Sequence, residues 1–107
     1  MPEEPNIVAP KGELDLAGVR ALGPELAAAA GDASRALVVD LSDVTLMDSS
    51  ALGAVVQAHL RLRRQGRPMA VVAPPGSQAA ALLDVTRMKD RLPIQPSRDA
   101  AMDAVRR

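Results

Sequence analysis

The period of the apolar positions changes repeatedly along this chain, and the changes mark its elements. Asn6 to Ala9 reads as a short strand, followed by Pro10 and a polar turn into Gly12, Glu13, Leu14 and Asp15. Leu16, Val19, Leu22 and Leu26 then recur at a spacing that puts them on one face of a helix, with Asp15 at the N-cap. Pro24 lies inside that pattern, where its missing N–H and its ring break or restart a helix. Ala36 to Leu41 is a continuous apolar run with polar flanks, the signature of a strand buried on both faces and the expected centre of the sheet.

Val44 to Met47 is a second short strand leading into Asp48, Ser49 and Ser50. Beyond them Leu52, Val55, Val56, His59 and Leu60 return at helical spacing, and this second helix runs to about Gln65 and ends at Gly66. Arg61, Arg63 and Arg64 in its last turns complement the helix macrodipole, so no basic ligand site is needed to explain them. Met69 to Ala73 is the next strand, closed by Pro74, Pro75 and Gly76. Ser77 caps a helix built on Ala80, Leu82, Leu83 and Val85; Leu92 to Ile94 is a short last strand, and Ser97 caps a final helix through Met102 and Val105. Strands alternating with helices imply right-handed crossovers onto a mostly parallel sheet, an α/β architecture with about four strands and about four helices.

Composition narrows what such a domain does. The 107 residues suffice for one domain, 1–107, with a modest core. Phe, Tyr and Trp are all absent, which removes the stacking platform used to bind single-stranded nucleic acid. Lys plus Arg and Asp plus Glu number 13 each, so no general basic field attracts phosphate backbones or anionic lipid, and neither nucleic acid nor a membrane surface is an expected partner. The absence of Cys excludes a thiolate nucleophile and Cys-based metal sites and fits a reducing compartment. The acidic start lacks a signal-peptide pattern and no apolar stretch nears spanning length, so the expected location is the cytoplasm, without membrane insertion.

Polar side chains gather at one element boundary, Asp48, Ser49 and Ser50, where a strand meets the N-terminus of the second helix. Unpaired backbone N–H groups and the positive end of the dipole favour an anion there. A plain N-cap, worth about 1 kcal/mol, explains the same residues from local sequence alone. Catalytic readings fare worse. A Ser-His-Asp triad would require His59, which ten helical residues separate from Ser49, or about 15 Å. No Gly-x-Ser-x-Gly elbow, Walker-type loop or Rossmann glycine pattern is present. A lone His beside an apolar helix face is usually a packed side chain, and Asp40, Asp43 and Asp48 are more simply strand-end and turn residues than an acidic receiver pocket. No enzyme, resident metal or cofactor is expected.

The stretch from Leu41 through Ser42, Asp43, Val44, Thr45, Leu46, Met47, Asp48, Ser49, Ser50, Ala51 and Leu52 to Gly53 resembles the phosphorylation-site signature of STAS domains in anti-sigma-factor antagonists. Gly12, Glu13, Leu14 and Asp15 resemble that family's other hallmark, at a family-like separation, and the resemblance extends to the C-terminus. It implies the STAS fold, with Ser49 as phosphoacceptor and Asp15, Asp48, Ser49 and Ser50 at a partner-binding surface. It further implies an anti-sigma factor that is also a serine kinase as partner, a PP2C-type phosphatase that resets the switch, and no cofactor in this chain. The alternative is a non-phosphorylated scaffold subunit of a transporter or larger signalling complex. Two departures stand out: Ala51 occupies a position where the family often has Gly, and only eleven residues precede Gly12, where the family has a two-strand segment. The first strand is therefore expected to be shortened, leaving a sheet edge that favours dimerisation or strand addition.

Overall fold

Two strands, β3 (Leu37–Asp40) and β5 (Met69–Val72), are buried at every position, because helices cover both faces of the sheet they centre. In this computed structural model, which describes residues 4–32 and 35–106, β1 (Asn6–Val8) flanks β3 and β6 (Ile94–Gln95) flanks β5. The order β1-β3-β5-β6 is parallel throughout, with Leu37 opposite Met69 and Asp40 opposite Val72. The strand expected at Asn6 to Ala9 is the three-residue β1, whose inner edge pairs with β3.

A separate two-stranded ribbon joins β2 (Gly12–Leu14) to β4 (Val44–Met47), again in parallel. Gly12 to Leu14, which the sequence pattern left without an element after the turn at Pro10, is thus a strand. Three residues carry too little periodicity to declare themselves, and the pairing that defines them comes from β4, some thirty residues further on. The register shifts between Gly12 and Glu13, and Gly12 takes φ 77°, a left-handed conformation that glycine adopts without strain.

The ribbon feeds α1 (Leu16–Gly31) and α2 (Ser49–Arg64) from the same end. The two pack side by side on one face of the sheet with α3 (Gln78–Val85), and there Leu22, Leu26, Val55, Leu62 and Leu83 meet Leu37, Val39, Leu41 and Val71. α1 runs unbroken through Pro24, contrary to the break its sequence suggests. The buried Leu22 and Leu26 on either side of Pro24 anchor both halves of the helix to the core. Its C-terminus is held by Arg67, whose guanidinium donates to the carbonyl oxygens of Ala29, Ala30 and Arg35. On the opposite face Val38, Ala70 and Val72 meet Ala101 and Val105 of α4 (Arg98–Val105). A 3-10 turn, Met88–Asp90, links α3 to β6.

Candidate functional site

Parallel pairing of Leu14 with Met47 sets the residues that follow, Asp15 and Asp48, beside each other at the head of α1 and α2. The Asp48 amide donates to the Leu14 carbonyl at 3.2 Å and closes the junction. Each aspartate caps its own helix. Asp15 Oδ1 accepts from the Gly18 amide at 3.0 Å. Asp48 Oδ1 accepts from the amides of Ser50 and Ala51 at 3.0 and 3.1 Å, and from the Ser50 hydroxyl at 2.5 Å. The Ser50 hydroxyl holds the Asp48 carboxyl below the usual carboxylate range, helped by the Ala51 and Ser50 amides against a smaller opposing effect of burial.

This division of labour leaves Ser49 free. It is the first residue of α2 and exposed, and its hydroxyl has no hydrogen-bond partner among the described residues. The four residues expected at the surface, Asp15, Asp48, Ser49 and Ser50, therefore do lie together, but in different roles: two caps, one side chain spent on a cap, and one open hydroxyl. A group attached to Ser49 meets the positive end of the α2 dipole, while the nearest cap positions are already taken by Asp48.

Two apolar residues flank this apex, and one of them, Leu16, corrects the helix pattern, which places it with Leu22 and Leu26 on the apolar face. Leu16, next to Asp15, is 64% exposed, and Leu46, opposite Glu13 in the ribbon, is 45% exposed. Leu16 is the first residue of α1, directly after the cap, and projects beyond the sheet that covers Leu22 and Leu26; Leu46 stands on the outward face of a four-residue strand whose period is too short to show it. His59 lies ten residues along α2 and is half-buried, so it takes no part in the apex. Asp40 is also elsewhere, at the end of β3, where its carboxylate meets Arg98 Nε at 2.8 Å. Among the described residues no group of three or more His, Asp or Glu side chains is placed to hold a metal ion, and no helix is long and apolar enough to cross a membrane.

A family model described as "Mlab, STAS domain" matches residues 1–95, a span that includes the ribbon, both capped helices and every strand. The chain belongs to the STAS domain family. The fold is also similar to a solved one: the crystal structure of an anti-sigma factor antagonist from Mycobacterium paratuberculosis aligns with a TM-score of 0.84 at 29% identity, over 94% of this chain and 85% of that one. That similar protein is named for a regulatory role rather than for an enzymatic one. In this STAS domain the Ser49 apex falls inside the family match, whereas α4 lies beyond it.

Proposed function

We propose that this STAS domain is an anti-sigma factor antagonist that works by partner switching in the cytoplasm. The unphosphorylated protein docks through its Ser49 apex on an anti-sigma factor that is also a serine kinase, and the sigma factor that partner had held is released. The observation that carries this reading is the open Ser49 hydroxyl at the head of a helix whose capping is done by Asp48. A kinase active site reaches such a hydroxyl without unwinding α2. Exposed Leu16 and Leu46 beside it supply apolar area that a docked partner would cover.

Phosphorylation transfers the terminal phosphoryl group of ATP, held by the kinase, to Ser49 Oγ. The Oγ–P bond forms as the bond to ADP breaks, and the hydroxyl proton passes to the kinase. The product carries nearly two negative charges beside Asp48. The α2 dipole accommodates that charge within the free protein, so the fold need not change. In the complex the same phosphate is buried against surfaces shaped for a hydroxyl and lies next to the two capping carboxylates. A penalty of roughly 3 to 4 kcal/mol there weakens binding several hundred-fold. A PP2C-type phosphatase restores the hydroxyl.

The test has two parts. Ser49→Ala is expected to bind the anti-sigma factor constitutively and Ser49→Asp poorly, measured by calorimetry with the purified pair; equal affinities sink the electrostatic account. Intact mass and fragmentation of the protein from its native cells should place phosphate on Ser49. Absence of phosphate across growth and stress conditions, together with co-purification with membrane components, would replace the switch with the scaffold role.

A further inference from the structure

Well down α2 from the apex, Val56, His59, Leu60 and Arg63 follow one another at the spacing that shares a helix face. Met88, Asp90, Arg91 and Leu92, from the 3-10 turn and its exit, stand opposite, and the two segments line a cavity of about 430 Å³ that is open to solvent along Leu60, Arg63, Asp90 and Arg91. That volume lies within the roughly 300 to 1,000 Å³ typical of small-ligand sites. The chain enters this turn through a left-handed residue. Arg87, immediately before it, has φ 59° and ψ 31° and is the one non-glycine residue with positive φ among the described residues. Such a conformation is uncommon for a side chain with a Cβ and persists where its surroundings over-determine it. Here the Arg87 amide donates to the Asp84 carbonyl at 3.1 Å, and the Leu92 amide to that of Met88 at 2.8 Å.

The walls are of two kinds. Leu92 is 4% exposed and Val56 and Met88 are half-buried, which gives an aliphatic floor. Around it stand Arg63, Arg91, His59 and Asp90. Neighbouring Lys89 is engaged with Asp84 at 3.1 Å, but Arg63 and Arg91 form no ion pair among the described residues. Two guanidinium groups against one carboxylate leave the rim positive. His59 is held below its ordinary range, first by burial and then by the charge of Arg63, and a neutral imidazole both donates and accepts a hydrogen bond. No aromatic side chain exists to stack a nucleobase.

We propose that this cavity binds a small organic anion, a carboxylate on a short aliphatic body, with the charge on Arg63 and Arg91 beside His59 and the aliphatic part against Leu92, Met88 and Val56. The site shares no residue with the Ser49 apex and does not depend on the switch. Planar guanidinium donors match a carboxylate in two-point geometry, and the floor discriminates against purely inorganic anions.

His59 is the single histidine of the chain, so its ring C–H resonances report on the cavity directly. The probe is hexanoate, with hexanol and inorganic phosphate as comparisons. Hexanoate is expected to shift the His59 signals saturably and to raise the His59 pKa, because a bound anion stabilises the imidazolium over the neutral ring. Hexanol should produce no such rise, and phosphate should bind at least tenfold more weakly. Arg63→Gln and Arg91→Gln should each weaken hexanoate about tenfold or more, whereas Arg61→Gln, whose side chain lies outside this cavity, should leave it unchanged. No saturable shift at millimolar hexanoate overturns the proposal, as does affinity indifferent to both arginine substitutions. Phosphate binding as tightly as hexanoate overturns the aliphatic class.

Discussion

At the residue scale, the cluster Asp48, Ser49 and Ser50 answers to two descriptions that compete in the sequence and coexist in the fold. A cap and a modification site both call for small polar residues before a helix, and nothing in their spacing says which residue does which. The backbone decides: extended Asp48 turns its carboxylate onto the Ser50 and Ala51 amides, and Ser49 is left facing outward. A consequence can be checked without any partner. The folded Asp48 carboxyl titrates below its unfolded value, so the stability it contributes is present above the ordinary carboxylate range and is lost as pH falls through the depressed value. Asp48→Asn should remove that part of the acid dependence and accelerate hydrogen exchange at the Ser50 and Ala51 amides at neutral pH. Unchanged exchange at both amides would mean that the cap contributes little.

At the element scale, most of the chain's order was legible because long amphipathic helices and apolar strands announce their own period. β2 and the continuity of α1 through Pro24 were not, since each is decided by a neighbour: β4 in one case, the core gripping Leu22 and Leu26 in the other. The glycines of the two long helices show the same dependence. A Cβ on Gly18 would lie 2.6 Å from the Glu13 carbonyl oxygen, whereas one on Gly53 would meet nothing within 4 Å. Alanine is favoured over glycine in a helix interior by about 1 kcal/mol. Gly53→Ala should therefore raise stability by about 0.5 to 1 kcal/mol, a gain of several degrees in Tm for a domain of this size. Gly18→Ala should do the reverse despite the same propensity, because β2 must move away from α1 at a cost of about 1 to 3 kcal/mol. Thermal melts of the two variants, followed by circular dichroism, compare them directly; a higher Tm for Gly18→Ala would show that the approach of α1 to β2 is not a tight constraint.

At the scale of the whole molecule, the two faces of the sheet are protected unequally. Three helices cover one, and the eight-residue α4 covers Val38, Ala70 and Val72 on the other. α4 buries Ala101 and Val105, and an ion pair between Arg98 and buried Asp40, residues fifty-eight positions apart, ties it to the end of β3. In sequence Asp40 was an ordinary strand-end residue; only the returning chain gives it a partner. Burial raises the Asp40 pKa, but the hydroxyl and amide of Ser42 and the Arg98 guanidinium together outweigh it, and the carboxyl titrates below its usual value. Its folded form thus binds a proton less readily than the unfolded chain, so its stabilisation holds at pH values above about 4 and disappears as acid reaches the folded pKa. Protonation leaves Arg98 without a counter-charge and loosens α4 before the three-helix face yields. On acid titration the α4 amides should lose exchange protection first, and dye binding should report the uncovered Val38, Ala70 and Val72 face. Asp40→Asn should lower stability at neutral pH by about 1 to 3 kcal/mol and flatten the acid limb, while Arg98→Gln should loosen α4 at neutral pH with α1 and α2 intact. If α4 and α2 lose protection together in all three proteins, α4 is part of a single cooperative unit and the ion pair is not what holds it.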